Sequence, residues 1–290
     1  MTHPATTLRQ RLADGTILMA PGAFDPMSAL LVQRAGFEAV YLTGGGYARA
    51  SGFPDMGLLT MTEITHYIAR VIDTVNIPVI GDIDTGYGNA LNVVRAVREF
   101  ERAGVAGFHI EDQVYPKKCG HYEGKEVISK AEMIGKIHAA VDTRREDTVI
   151  IARTDARAVE GLDAAIERVA SYLDAGADLG FVEAPQSIEE LRAIPKQEPR
   201  AAMANIFEGG KTPFVAADEL QSWGYRLAIY PSQTQRSAIK AVMDTLAAMH
   251  ASGGSSAAVS SRQVTFPERE EIIGTSVWYE RESRYGSVVG

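Results

Sequence analysis

Lys117-Lys118-Cys119-Gly120-His121 places the only cysteine of the chain beside two cations and an imidazole. A lone thiol can form no internal disulfide, so it serves either as a small apolar group or as a chemical one. Pro116, the lysines, Gly120, His121 and Gly124 do not make a core segment, and cations beside a thiol predict a stabilised thiolate. Lys117 and His121 therefore join Cys119 as candidate catalytic groups, and Gly120 lets backbone approach a ligand closely. A second constellation is Asp82-Ile83-Asp84, at the end of an apolar run. On a strand these carboxylates share a face and repel unless a cation lies between them. All-oxygen donors suit a hard divalent ion, Mg²⁺ or Mn²⁺ in its place, with Asp55 and Glu111 holding metal-bound waters. The rival is a proton-sharing carboxylate pair for acid–base work. Thr43-Gly44-Gly45-Gly46 offers a hydroxyl and backbone N–H groups to carboxylate or phosphate oxygens. Arg153 can clamp a carboxylate with two parallel hydrogen bonds, or pair with Glu183 or Asp155.

The elements that must position these groups recur along the chain. Ala35-Gly36, Ala103-Gly104, Ala175-Gly176 and Trp223-Gly224 each put a helix-ending glycine before an apolar run of strand length. Runs at 17–23, 77–84, 148–155 and 200–207 complete eight candidate strands. Thr60-x-x-Glu63, Ser129-x-x-Glu132 and Ser187-x-x-Glu190 have capping-box spacing and predict helix starts between strands. Alternating strand and helix implies parallel strands, and eight units fit a closed (β/α)8 TIM barrel over 1–250. A doubly wound open sheet is the runner-up, weakened by the lack of a glycine-rich dinucleotide turn after the first strand. In such a barrel the site lies at the C-terminal strand ends. There the sequence places Tyr41 to Gly46, Asp82 and Asp84, His109 to Asp112, Arg153 to Asp155, Glu183, Asn205 and Tyr230-Pro231. Residues 251–262 read as a flexible linker, and 263–290 as a C-terminal helical segment carrying Trp278 and Tyr279.

With a net charge of −8 in 290 residues, electrostatics argue for neither nucleic acid nor an anionic membrane as partner. The single cysteine and the lack of an apolar leader predict a cytoplasmic protein.

These residues together resemble the isocitrate lyase/phosphoenolpyruvate mutase superfamily, from about Pro21 to Ser232. The likeness is carried by YLTGGG, GFPDMG (52–57), GDIDTGYGN (81–89), HIEDQ (109–113), KKCGH, IARTDA (151–156) and VEA (182–184), with KKCGH the mark of the carbon–carbon lyase branch. The resemblance implies a Mg²⁺-dependent barrel whose eighth helix is exchanged between subunits, usually within homotetramers. It implies that Asp82 and Asp84 hold the metal, that Thr43, Gly44 and Gly45 bind a 2-oxo acid carboxylate with Arg153 assisting, and that Cys119 is the acid or base on a lid. Glu183, Asn205 and Gly120 join the substrate-binding set, and Arg236 and Arg269 fall where methylisocitrate lyases bind outer carboxylates. Tyr41 is the candidate base. Phe207, in place of a threonine, and Glu208-Gly209-Gly210-Lys211-Thr212-Pro213 look more like the dimethylmalate lyases and the carboxyphosphonoenolpyruvate phosphonomutases. The expected activity is cleavage of a 2-methylisocitrate- or 2,3-dimethylmalate-type small carboxylate to pyruvate and a second acid. The alternatives are phosphonomutase chemistry, oxaloacetate hydrolysis or decarboxylation, and a non-catalytic barrel.

Overall fold

The computed structural model describes residues 3–286. Eight strands, β1 Leu18–Ala23, β2 Val40–Leu42, β3 Val79–Asp82, β4 Gly107–Glu111, β5 Val149–Thr154, β6 Leu179–Val182, β7 Met203–Asn205 and β8 Leu227–Tyr230, pair in chain order. All pairs are parallel and β8 returns to β1, so the barrel is closed, as expected. The helices are α1 Pro4–Ala13, α2 Pro26–Arg34, α3 Gly44–Ala50, α4 Met61–Ile72, α5 Ala90–Ala103, α6 Lys130–Thr143, α7 Leu162–Asp174, α8 Ile188–Gln197, α9 Ala217–Trp223, α10 Gln233–Ala251, α11 Phe266–Ile273 and α12 Thr275–Gly286.

The helix-ending glycines act as their positions require. Gly36, Gly104, Gly176 and Gly224 all have φ between 87° and 110°, a left-handed conformation that is costly for residues with a Cβ. The Thr60 box closes in both directions, whereas Ser129 and Ser187 cap only one way. The Glu190 carboxylate is drawn instead to Arg157 and to the backbone N–H of Gln186.

Strand alternation divides the barrel residues between two environments. Leu18, Ala20, Tyr41, Ile80, Val149, Ile151, Leu179, Phe181, Met203, Leu227 and Ile229 pack as one buried cluster, while the opposite parity, such as Phe108, Ile110, Ile150 and Val182, packs with the helices. Toward the strand C-termini the Tyr41 and Ile80 parity continues as Asp82, His109, Glu111, Arg153, Glu183 and Asn205. The inner file is thus apolar below and polar at the mouth.

The structure corrects two local expectations. Thr43 to Gly46 is not a free turn: Thr43 caps α3, its hydroxyl accepting from the Gly46 N–H at 3.2 Å. And β3 stops at Asp82, so Asp84 does not share its strand face. Asp84 has φ 48°, and Gly86, Tyr87 and Gly88 also lie at positive φ. Such backbone concentrates where a site has to be shaped.

Two compact units divide between Thr234 and Gln235, so most of α10 falls in the second. The 251–262 stretch contains the end of α10 and two single 3₁₀ turns, Ser256–Ala258 and Ser260–Arg262. The expected terminal helix is two helices, interrupted at Gly274 with φ 69°. Among the described residues no helix is long and apolar enough to cross a membrane.

Candidate active site

A cavity of about 60 Å³ opens at the C-terminal mouth of the barrel, where Tyr41, Thr43, Gly45, Asp55, Asp82, Lys117, Cys119, Gly120, His121, Arg153, Glu183 and Asn205 converge on its wall. Gly44 lies just behind it, its N–H donating to Asp82 Oδ2 at 3.3 Å. Close packing accounts for two of the glycines: a Cβ on Gly44 would stand 2.9 Å from Asp82 Oδ2, and one on Gly45 2.6 Å from Asp55 Oδ2. Arg236 and Arg269 belong to the second unit. Pro231 lines the cavity as placed by the sequence, and Arg49, Phe207 and Ser232, which were not among the expected site residues, line it too.

Lys117 takes a part that the sequence did not suggest. Its ammonium lies 2.7 Å from Asp55 Oδ1 and 2.9 Å from Asp84 Oδ1, buried with both. Burial alone would favour the neutral amine, but Asp84, Asp55 and Asp82 more than offset it and hold the ammonium well above its usual range. The cation facing Asp84 in this structure is therefore a lysine. Burial lifts Asp84 to about 6, with Lys117 opposing and Asp82 assisting. Burial acts the same way on Asp82, but His109, Lys117 and Arg153 outweigh it and bring that carboxyl down to about 2.

The residues that could hold a metal are Asp82, His109 and Glu111, whose ligand atoms lie within 4.8 Å of one another. His109 was placed at the mouth by the sequence but not among the expected metal ligands. Its signal was the i, i+2 spacing with Glu111 on β4, which puts both on the inner face. Burial holds His109 down at about 4, so it is neutral, the form that ligates metals. Neither Glu111 oxygen has a hydrogen-bond partner among the described residues, although the side chain is fully buried. Arg153 Nε lies 3.2 Å from Glu111 Oε2. Fully buried carboxylate oxygens without donors are costly, and burial pushes the Glu111 carboxyl well up. A divalent ion would relieve that cost, so the donor set fits one.

Tyr41 shares a hydrogen bond of 2.7 Å with His109 Nε2. Burial, then the Asp82 charge, pushes its phenol well above the usual value. That disfavours the phenolate a base would need. Arg153 is not an open clamp either: Nε and Nη2 both donate to Asp155, at 2.8 and 3.2 Å, while Nη1 lies 3.6 Å from Glu183 Oε2. Asn205 Nδ2 donates to both Glu183 oxygens at 3.3 Å, and its own Oδ1 has no hydrogen-bond partner among the described residues.

Cys119 sits on the loop from Gln113 to Val127, whose two ends meet in an antiparallel bridge. The loop is drawn over the mouth by the Cys119 N–H on the Asp55 carbonyl at 3.1 Å and by Lys125 Nζ on Asp155 at 2.8 Å. The Lys211 N–H donates to His121 Nδ1 at 3.2 Å, and the His121 ring stacks on Phe207 at 4.7 Å. The expected thiolate is corrected here. Lys117 is held by Asp55 and Asp84, and Lys118 Nζ donates to the Gly124 carbonyl. Burial, and after it the Asp55 charge, pushes the Cys119 thiol up. Alkylation by iodoacetamide is therefore expected to be slow at pH 7 and to climb only above the ordinary thiol pKa of ~8.5. A rate already at its plateau by pH 7.5 would show a thiolate and contradict this environment.

The chain is similar to known proteins over nearly its whole length. The family description "Phosphoenolpyruvate phosphomutase" matches residues 8–250. The chain is 45% identical to 2,3-dimethylmalate lyase of Eubacterium barkeri over 287 residues, covering 98% of this chain and 99% of that one. It is 42% identical to 2-methylisocitrate lyase of Aeropyrum pernix over 283 residues, covering 98% and 91%. A crystal structure of a 2,3-dimethylmalate lyase superposes with a TM-score of 0.92 at 32% identity, covering 99% of this chain and 96% of that one. The chain belongs to the phosphoenolpyruvate mutase/isocitrate lyase superfamily.

Proposed function

For this member of the superfamily we propose a Mg²⁺-dependent carbon–carbon lyase that cleaves a 2-hydroxy-2-alkyl dicarboxylate or tricarboxylate to pyruvate and a second carboxylic acid. 2,3-Dimethylmalate and 2-methylisocitrate are the first candidates, as the names of the relatives suggest. The observation that carries the reading is a half-buried thiol on the same cavity wall as Asp82 and the Thr43–Gly45 segment, where burial and the Asp55 charge favour its protonated form. A thiol in that state is a proton donor, and a lyase needs one where the broken bond leaves its electron pair.

Asp82, His109 and Glu111 would hold the ion. When bound, it supplies Lewis-acid polarisation of the substrate oxygens and so eases loss of the hydroxyl proton. The Gly45 backbone and the Thr43 hydroxyl orient the 2-oxo acid end, with the Arg153 guanidinium nearby to stabilise negative charge. As the hydroxyl proton passes to a basic group of the cavity wall, the bond between the carbinol carbon and its neighbour breaks heterolytically; that proton returns to the Cys119 thiolate once the carbanion has been protonated. The electron pair stays on the departing fragment as an enolate-like carboxylate, and the carbinol becomes the ketone of pyruvate. Cys119 then gives its S–H proton to the carbanion carbon. The loop bearing Cys119 excludes water, so the carbanion meets the thiol first.

Association into helix-exchanged homotetramers of a cytoplasmic enzyme is part of the proposal. Ile239, Val242, Met243, Leu246 and Met249 recur along one face of α10 and are all exposed, a stripe that suits a second copy of the chain.

The test is release of pyruvate from a panel of 2-substituted malates and methylisocitrate, with Mg²⁺ and then with excess chelator. Turnover that stops in chelator and returns with Mg²⁺ is the expected result. Full activity in excess chelator would overturn the metal assignment, and a carbon–phosphorus product seen by ³¹P NMR when carboxyphosphonoenolpyruvate is offered instead would replace the lyase with a phosphonomutase.

A further inference from the structure

We propose that Arg49 holds the carboxylate of the departing fragment and so selects substrates with a second acid group, a proposal that rests on the lyase reading above. Lysine and arginine reach the cavity at three places, Arg49, Lys117 and Arg153. Lys117 is matched by Asp55 and Asp84, and Arg153 by Asp155, Glu111 and Glu183. Among the described residues Arg49 has no carboxylate within ion-pair distance.

Its position follows from α3. Tyr47, two residues earlier, stacks on Tyr67 with ring centroids 3.9 Å apart and planes 9° apart, and Ala48 is buried. These contacts fix the inner face of the helix and leave Arg49 at the rim of the mouth. The residue is exposed, and it also lines the cavity. Nη1 lies 2.9 Å from the point where a Cβ on Gly45 would stand, and Asp55 Oδ2 lies 2.6 Å from that point on the other side. The absence of a side chain at Gly45 is what lets the guanidinium fold across the backbone toward the cavity. A second anion entering beside the Thr43–Gly45 segment meets this cation without breaking an existing pair. Arginine suits that task because its planar fork can give a carboxylate two charge-assisted bonds.

The experiment compares two ligands with the same 2-oxo acid head, pyruvate with one carboxylate and freshly prepared oxaloacetate with two. Their affinities for the full-length protein with Mg²⁺ are read by calorimetry for the wild type, Arg49→Gln and Arg49→Lys. Arg49→Gln is expected to weaken oxaloacetate about 10- to 100-fold and pyruvate less than about threefold, with Arg49→Lys recovering part of the loss. Equal weakening of both ligands, or no weakening of oxaloacetate, would overturn the proposal. The readout is binding, so the selective loss would still stand if the wild type cleaved none of the substituted malates. That outcome would remove the lyase reading alone.

Discussion

Cys119→Ser is expected to lower kcat by about 10²–10⁴-fold, the usual worth of a positioned general acid. Serine keeps the size and a hydroxyl but is a far weaker acid, so it cannot deliver a proton to the carbanion at a useful rate. Affinity for pyruvate with Mg²⁺ should survive, because Asp82, His109 and Glu111 lie on β3 and β4, and Thr43 and Gly45 at the start of α3, not on the loop that carries the thiol. The pH profile separates proton transfer from lid packing. Burial and Asp55 raise the thiol pKa, and the acid is active only while protonated. The wild-type kcat should therefore hold through pH 8 and fall as pH rises through the raised value, a limb that disappears in the serine variant. A serine variant within about threefold of wild-type kcat would remove Cys119 from the chemistry.

The contrast between the expected and the observed thiol shows what the sequence holds and what it omits. Fold was legible because its causes are local. A glycine before each of four strands stands where a helix must end in left-handed backbone, and Gly36, Gly104, Gly176 and Gly224 do so. Period-two alternation in short runs sorts inner from outer residues, so the polar file at the mouth could be collected strand by strand. The charge environment of Cys119 was not legible, because neighbours in sequence are not neighbours in space. Lys117 turns inward to Asp55 and Asp84, which lie far from it in sequence, and Lys118 turns out to the Gly124 carbonyl.

The candidate metal set was half legible for a similar reason. Asp82 and Asp84 looked like one strand face, yet Gly86 and Gly88 immediately follow, and such backbone already announces that the strand is over. The i, i+2 spacing that does lie on a strand is His109 with Glu111 on β4. Arg49 carried no sequence signal, since the glycine triplet reads as a turn and only the packing of Tyr47 and Ala48 makes it a helix that brings an arginine to the rim.

Asp82→Asn decides between these two readings of the metal. Asp82 is ionised across the assay range, held at about 2 by His109, Lys117 and Arg153 against the effect of burial. It is thus the one member of its cluster that is a permanent anion, since His109 is neutral and burial holds Glu111 toward its acid form. Replacing it by the neutral isostere should cost more than about 100-fold in Mg²⁺ affinity, beyond the 10–100-fold typical of groups that only support a ligand, and should abolish turnover at millimolar Mg²⁺. The barrel should still fold, because Asp82 lies at the rim and the asparagine carbonyl can still accept one of the two backbone N–H groups, from Gly44 and Asp84, that Asp82 accepts. Asp84→Asn is expected to act differently. It removes one of the two carboxylates around buried Lys117, which should lower the melting temperature more than the metal affinity. Calorimetric Mg²⁺ titrations and thermal melts on both variants give the answer. Equal loss of Mg²⁺ binding in the two would mean that Lys117 yields Asp84 to the ion, and the site would then be the paired aspartates that the sequence first suggested.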